Sequence, residues 1–198
     1  MTKISILTPT LNRDPRVLER CFRSVAGQTL KDWEHLVCSD GQRELVVEQL
    51  VQRLYDPRRK YSYLSQLAGH YGAGVRAVLT DRAAGEYLAF LDDDNILFPR
   101  FAERMTEALD RHPEAGFAIC QVVHCGPLPL ETGLPPMIIT GIPPVLYNID
   151  TLQVVVRKQA IQQTRWQLRG YQSDGHTYEK LAREHRWIAV EEVLALKI

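Results

Sequence analysis

The sequence predicts a single α/β domain (residues 1–198) with a mostly parallel central sheet and helices on both faces. Strand-like and helix-like segments alternate along the first half, which is typical of βαβ units and hence of parallel strands. Tyr87–Leu91 is a continuous apolar run, as expected for a strand that is covered on both faces. The 198 residues are 45% hydrophobic, so one core can form without a disulfide or a structural metal.

Local signals place the elements of the first half in order. The first strand, Ile4–Leu7, is followed by Pro9, and Asp14-Pro15 supplies a helix cap and a first-turn proline. Gly27 ends that helix. The elements predicted after it are a strand at Trp33–Cys38, a helix at Leu45–Leu54, a strand at Tyr61–Leu64, a helix around Val75–Leu79, the strand Tyr87–Leu91 and a helix at Phe101–Leu109.

The pattern changes after about Val123. The segment Gly126–Pro144 contains six prolines and little periodicity, which excludes a long helix or a central strand. Long loops in compact domains are usually functional, so we expect residues 126–145 to cover or shape a binding site. The elements predicted beyond this loop are a strand at Leu152–Val156, a helix at Asp174–His185 and apolar segments at Trp187–Val190 and up to Leu196.

The composition excludes several classes of protein. The 24 Lys+Arg residues balance the 24 Asp+Glu residues, which excludes the broad basic field of a nucleic-acid-binding protein. No apolar run reaches the roughly 18 residues that a transmembrane helix needs. The apolar part of the first strand is too short for a signal-peptide core, so we expect a cytoplasmic protein.

Three consecutive carboxylates follow the buried strand Tyr87–Leu91. Asp92 and Asp94 would share one side of the chain if the strand geometry continued. Carboxylates this close repel each other unless a cation lies between them, and Mg²⁺ or Mn²⁺ prefers such oxygens. Ligands of open parallel sheets bind beyond the carboxyl ends of the strands, which is where these residues lie. A solvated acidic turn before the next helix is the alternative.

Asp40 follows the second strand and is a second candidate. An acid at this position can hydrogen-bond a base or a ribose, as the acid of dinucleotide-binding folds does. An ordinary Asp40-Gly41 turn is the alternative. The glycine fingerprint of those folds is missing, because Gly69, Gly72 and Gly74 do not have its spacing, and this argues against a nicotinamide enzyme.

These signals occur in an order that resembles the family 2 glycosyltransferases, which are inverting enzymes with the GT-A (nucleotide-diphosphosugar transferase) fold. The similarity is clear over about residues 4–112. The segments that carry it are Ile4–Arg13, Cys21–Glu34 with its Ser24…Gln28-Thr29…Trp33-Glu34 spacing, Ser39-Asp40-Gly41, Arg76 and Gly85–Asn95. The chain departs from the family at Ala77, where Asn is usual, and has Lys197 near the place where some relatives carry a histidine metal ligand.

The resemblance implies a role for each matching position. The residues expected to bind the nucleotide-sugar donor are Pro9, Asn12, Asp40, Arg76, Asp92 and Asp93. It implies an Mn²⁺ or Mg²⁺ cofactor held mainly by Asp94 with help from Asp92 or Asp93. Residues 1–112 would then form a nucleotide-sugar-binding half, and residues 113–198 an acceptor-binding half.

The catalytic base is expected in the second half. In the family it is an Asp at the start of a helix, and Asp174 in Ser173-Asp174-Gly175 is the best match. A helix cap is the structural alternative, and His176 is a rival base. Asp150 is a candidate for binding a sugar, and Arg157 and Lys158 for meeting the diphosphate. Trp166, Trp187 and Tyr171 are candidates for stacking on sugars, although large aromatic residues more often belong to a core.

The resemblance therefore implies a metal-dependent hexosyltransferase that moves a sugar from a nucleotide diphosphate, expected to be a UDP-sugar, to the hydroxyl of a carbohydrate or another acceptor, as in polysaccharide biosynthesis. A sugar nucleotidyltransferase shares the fold, but usually opens with a glycine-rich loop that Thr8–Asn12 lacks. A nucleotide-sugar-binding module without turnover is the other alternative. A homodimer is left open.

Overall fold

The computed structural model describes residues 2–125 and 136–198. Their strands form one nine-stranded sheet in the order β3-β2-β1-β4-β8-β6-β9-β5, with β7 paired to β6. The strands are β1 (Ile4–Thr10), β2 (Trp33–Ser39), β3 (Arg59–Tyr63), β4 (Tyr87–Phe90), β5 (Ile96–Leu97), β6 (Ala115–His124), β7 (Met137–Ile139), β8 (Val154–Arg157) and β9 (Arg186–Lys197). The α-helices are α1 (Pro15–Ala26), α2 (Leu45–Arg53), α3 (Ala73–Arg82), α4 (Phe101–Arg111), α5 (Lys158–Thr164) and α6 (Ser173–Glu184).

The directions of the strands decide which ends meet. β1 pairs in parallel with β2 and β4, β2 with β3, and β6 with β9. β8 is antiparallel to both of its neighbours, β4 and β6, so these two run in the same direction. The carboxyl ends of β1, β2, β4, β6 and β9 therefore share one edge of the sheet with the start of β8. The N-terminus of α6 lies at that edge too, because α6 runs back to the start of β9.

Helices cover both faces of the sheet, as predicted. The helices α1, α2 and α4 contribute to one buried apolar cluster, and α3, α5 and α6 to the other. α1 begins as its sequence indicates: Asp14 accepts a hydrogen bond from Arg16 N at 2.7 Å, Pro15 is the first helical residue, and Gly27 follows the last. Within the described residues, none of the helices combines the length and apolar character that crossing a membrane requires.

The second half differs from its predicted elements. β6 was not predicted, although it lies between β8 and β9 and is mostly buried. The two apolar segments expected after Trp187 are one strand, β9, which pairs with β6 and, near its end, with β5. β8, β5 and β7 run against the other strands, so half of the pairings between the described strands are antiparallel and the sheet is mixed. Within the proline-rich segment, residues 126–135 lie outside the described part of the chain, and β7 follows them at the sheet's periphery.

Candidate active site

A cavity of about 840 Å³ lies at the edge where these carboxyl ends meet. Of the eight residues predicted to bind the donor or the metal or to act as the base, seven line it: Pro9, Asp40, Arg76, Asp92, Asp93, Asp94 and Asp174. Asn12 does not; its backbone N–H donates to Glu44 Oε1 at 2.6 Å and its φ is 52°, so it shapes the loop between β1 and α1. The rival base, His176, is also absent from the described lining of the cavity.

The three carboxylates after β4 are each engaged by an arginine. Arg13 Nη2 lies 2.7 Å from Asp93 Oδ1 and 3.0 Å from Asp94 Oδ2, and Asp92 pairs with Arg76. β4 ends at Phe90, and Asn95 N donates to the backbone oxygen of Asp92 at 3.2 Å, which closes a turn. The alternation of a strand therefore does not extend to these residues, and the chain turns there.

The environment of Asp94 favours a cation. Burial raises the pKa of its carboxyl, Arg13 opposes this, and the negative charges of Asp92 and Asp93 raise the pKa further. Asp93 is almost fully buried against Arg13, whereas the side chains of Asp92 and Asp94 are 33% and 30% exposed. Asp92 and Asp94 are therefore the carboxylates of this cluster that remain accessible from the cavity.

Asp40 holds a neighbouring loop. Its two carboxylate oxygens accept hydrogen bonds from Ala68 N at 2.7 Å and Gly69 N at 2.9 Å. The loop continues to Gly72, whose φ is +84° and where a Cβ would lie 2.9 Å from Pro9 Cγ, so a side chain would be strained and crowded there. Asp40 thus fixes the loop beside Pro9, and each oxygen retains a lone pair that can accept from a ligand.

Arg76 connects the carboxylate cluster with the second half of the molecule. Arg76 is only 5% exposed. Its Nη2 pairs with Asp92, and its Nη1 donates to Tyr71 O at 3.3 Å. Arg76 and Asp174 line the same cavity, where burial raises the pKa of Asp174 and the charge of Arg76 opposes that rise. Nε is buried without a hydrogen-bond partner among the described residues. One donor of this buried guanidinium therefore has no partner among the described residues.

Asp174 lies in the first turn of α6. Its Oδ1 accepts from Gly175 N at 2.8 Å, and its Oδ2 accepts from the Thr151 hydroxyl at 3.2 Å. Burial raises its pKa, the Gly175 hydrogen bond opposes this, and the charge of Asp150 raises it further. A carboxyl group with a raised pKa is better matched to taking a proton near neutral pH than an ordinary one.

Lys197 and Asp150 form an ion pair in the same cavity. Asp150 precedes β8 and caps the turn at Thr151–Gln153, and Lys197 ends β9. Burial opposes the charge of Lys197, but Asp150 outweighs this and raises the pKa of the ammonium. The ammonium thus partly offsets the Asp150 charge that acts on Asp174.

Sequence reasoning did not identify Arg13, Thr151, Tyr71 or Tyr147 as part of the site. Arg13 belongs to the segment that carries the family resemblance, so its position next to the first strand was the available signal. Thr151 and the tyrosines reach the cavity only through contacts between distant segments. Of the stacking candidates, Trp166 is core, 9% exposed with its ring centroid 4.9 Å from that of Phe90, whereas Tyr171 lines the cavity.

Comparison with known proteins identifies the family. The sequence model described as "Glycosyl transferase family 2" matches residues 5–180. The chain belongs to this family. A relative in Campylobacter jejuni, GalNAc(5)-diNAcBac-PP-undecaprenol beta-1,3-glucosyltransferase, is 36% identical over 99 residues, which are 49% of this chain and 31% of that protein. The chain thus spans about a third of that relative's length.

Solved structures of glycosyltransferases share the fold. S. aureus TarS 1-349 in complex with UDP-GlcNAc superposes with a TM-score of 0.77 at 16% identity, covering 98% of this chain and 58% of that one. The mannosyltransferase PcManGT from Pyrobaculum calidifontis, in complex with GDP-Man and Mn²⁺, gives 0.71 at 14% identity, covering 98% and 56%. The α/β, GT-A-type fold expected from the sequence is confirmed.

Proposed function

We propose that this chain transfers a sugar from a nucleoside diphosphate, a UDP-sugar by preference, to an acceptor hydroxyl with inversion at the anomeric carbon. The observation that carries the proposal is that one cavity joins the carboxylates Asp92–Asp94 to Asp174, a carboxyl with a raised pKa. The first group suits the cation of a nucleotide diphosphate, and the second suits a proton. Family membership and the UDP-GlcNAc and GDP-Man bound by structural relatives support the donor class.

The side chains that line the cavity suit a divalent cation. Among the described residues that line the cavity are six carboxylates and three cationic side chains, so a diphosphate alone would meet an excess of negative charge. No group of three or more His, Cys, Asp or Glu side chains forms a closed cage in the described residues. Mg²⁺ is commonly held by one or two carboxylates together with substrate phosphates. Asp94 and Asp92 would supply these carboxylates.

Each half of the chain has a defined task in this proposal. When bound, the cation would neutralise charge on the leaving diphosphate. Arg76, which pairs with Asp92, would add positive charge beside the diphosphate, and Asp40, beside Pro9, would accept a hydrogen bond from the base or the ribose. Residues 1–112 would bind the donor and residues 113–198 would present the acceptor.

Asp174 would act as the general base. The acceptor oxygen forms its bond to the anomeric carbon as the bond to the diphosphate oxygen breaks, and Asp174 takes the hydroxyl proton. Attack from the face opposite the diphosphate inverts the configuration. The Thr151 hydroxyl would orient Oδ2, while burial and Asp150 would keep its affinity for protons high.

A product analysis tests this proposal. The protein is incubated with Mn²⁺ and either UDP-sugars plus candidate acceptors or UTP plus a sugar phosphate, and the phosphorus-containing products and the anomeric configuration are followed by NMR. UDP together with an inverted glycoside is the expected result. Pyrophosphate release from UTP and a sugar phosphate would indicate a nucleotidyltransferase, and saturable UDP-sugar binding without any product would indicate a binding module. Either outcome would contradict the proposal.

A further inference from the structure

Three exposed tyrosines border the cavity and have no place in the donor chemistry. Tyr71, Tyr147 and Tyr171 all line it, and they are 75%, 80% and 75% exposed. A single exposed aromatic residue on a protein surface is ordinary. Three around one cavity form a group that packing does not explain, and we call these residues the tyrosine rim.

The backbone holds two of these side chains in unusual conformations. Tyr71 has φ 54° and Tyr147 has φ 68°, both in the left-handed region that bulky residues rarely occupy. Residues held this way are concentrated at ligand-binding and active sites, because elsewhere the strain has no use. A glycine would suit both positions better, so the aromatic side chains themselves are the feature that needs a function.

Contacts among three loops fix the tyrosine rim before any ligand binds. The rings of Tyr71 and Tyr171 meet edge to face, with centroids 5.3 Å apart and planes at 86°. Gly170 N donates to His70 Nδ1 at 3.1 Å, which joins the same two loops. Gln172 Nε2 donates to the Tyr147 hydroxyl. The three rings are thus preorganised, and little side-chain freedom would be lost on binding.

Two members of the tyrosine rim, Tyr147 and Tyr171, lie on the Asp174 side of the cavity, and Tyr71 meets Tyr171 from the loop that Asp40 holds. Tyr171 and Gln172 directly precede the start of α6, which carries Asp174. The segment before Tyr147 packs on the same helix end, because a Cβ at Gly175 would lie 2.5 Å from Leu146 Cδ1. The rim therefore flanks the group that takes a proton from the acceptor.

We propose that the tyrosine rim is a carbohydrate subsite, in which these rings pack against the pyranose unit that carries the acceptor hydroxyl. This rests on the proposed function of Asp174. A pyranose has an apolar C–H face and a ring of hydroxyl groups, and a tyrosine has an apolar ring face and a polar hydroxyl. Gln172 and the tyrosine hydroxyls supply hydrogen bonds at the edge of the sugar.

Saturation-transfer NMR on the whole chain tests the subsite directly. The probes are chitotetraose, cellotetraose and maltotetraose, each titrated alone and with UDP and Mn²⁺. We expect saturation of the ring C–H protons of at least one probe in the wild type, and a loss of about tenfold or more in its affinity in Tyr147→Ala and Tyr171→Ala. Tyr147→Phe and Tyr171→Phe should retain most of the affinity.

Tyr55→Ala is the matched control, since Tyr55 is 79% exposed but does not line the cavity. It should bind the probes like the wild type. No saturation of any probe in the wild type, or equal affinity in the alanine variants, would overturn the subsite. A loss of UDP affinity in Tyr71→Ala would assign Tyr71 to the donor and overturn the three-residue rim.

UDP calorimetry on the same samples separates this proposal from the proposed function. If UDP binds with Mn²⁺ but no pyranoside does, the subsite is wrong and the donor site stands. If a pyranoside binds through the tyrosine rim but UDP does not bind, the donor assignment is wrong and the subsite stands.

Discussion

The two halves of the cavity each hold an aspartate with a raised pKa, but for different reasons. Burial acts on both. Asp94 has two further carboxylates beside it, Asp92 and Asp93. Asp174 has one acidic neighbour, Asp150, which forms an ion pair with Lys197. A divalent cation best reduces the repulsion within a cluster of carboxylates, whereas a single proton removes the cost of burying one carboxylate charge. The same side chain is therefore suited to a cation in the first half and to acid–base chemistry in the second.

The largest effect is expected at Asp174. Asn at this position keeps the size of the side chain and can still accept hydrogen bonds in the first turn of α6, so the fold and UDP affinity should be retained. It cannot take a proton, and general-base assistance is typically worth about 10²–10⁴-fold. Transfer by Asp174→Asn, measured with a true acceptor, should fall by that factor.

A thermal melt of Asp174→Asn is the control for this prediction. Loss of both activity and melting temperature would show that Asp174 is a structural cap. Full transfer by Asp174→Asn, with loss in His176→Ala, would move the base to His176.

Removal of the Asp40 carboxylate should weaken the donor half alone. Asp40→Ala leaves two backbone N–H groups of the adjoining loop unpaired and removes a proposed partner of the nucleoside. Loss of one charge-assisted hydrogen bond costs about 1.5–3 kcal/mol, or roughly 10–150-fold in affinity. In calorimetry, UDP should bind more weakly by that factor, with the enhancement by Mn²⁺ intact. Unchanged UDP affinity would mean that Asp40 only holds the loop.

The pH dependence of transfer should report Asp174 and its neighbour. A base works only when deprotonated, so activity should fall as the pH falls through the raised pKa of Asp174, above the ordinary value of 3.8. Asp150→Asn removes one cause of that shift but can still cap the turn before β8. The acidic limb of the kcat/KM profile should therefore move to lower pH. An unmoved limb would show that Asp174 is not the titrating group.

The smallest effect concerns stability, and it involves only the first half. His35 is fully buried, with Nε2 2.9 Å from Thr8 Oγ1 and Nδ1 accepting from Arg59 Nε at 3.1 Å. Burial, with the charge of Arg59, holds its pKa well below the ordinary 6.5. Only the unfolded chain takes up this proton, so the stabilisation is complete above pH 6.5 and is lost as the pH falls below it.

His35→Gln should remove this contribution. In urea unfolding between pH 7.5 and 5.5, the free energy of unfolding should fall less steeply with falling pH in the variant than in the wild type. The two slopes should differ by at most about 1.4 kcal/mol per pH unit. Identical slopes in the two proteins would show that His35 takes up its proton equally in the folded and the unfolded chain.

The sequence predicts the first half of the molecule much better than the second. In the first half, local signals such as Asp14-Pro15 and Gly27 mark the ends of a helix, and β1 and β2 each pair with the next strand along the chain. β6 and β9 depend on each other across some 70 residues, with register shifts at Cys120, Gln121 and Val122 that no local pattern encodes. Glu191 and Glu192 interrupt the apolar run, which made β9 look like two segments.

The candidate site divides in the same way. Asp40 and Asp92–Asp94 could be placed at the site because they follow strands, and the carboxyl ends of parallel strands meet at one edge. Asp174 was predicted from the family resemblance, as an acid at the start of a helix. The pairings that set the charge states of the acidic residues could not be predicted, because Arg13 meets Asp93 and Lys197 meets Asp150 only in the folded chain. The tyrosine rim likewise combines three separate segments, and its clearest signal, the positive φ of Tyr71 and Tyr147, is a property of the backbone.

Calorimetric titration of UDP with Mn²⁺ and with EDTA tests the division of the cavity most directly. The wild type should bind UDP at least about tenfold more tightly with Mn²⁺, a difference of about 1.4 kcal/mol. Asp94→Ala should lose that enhancement. Asp81→Ala, which changes an exposed aspartate of α3 outside the cavity, should keep it. Equal affinity of the wild type with Mn²⁺ and EDTA, or an undiminished enhancement in Asp94→Ala, would contradict the assignment of the carboxylate cluster to a cation.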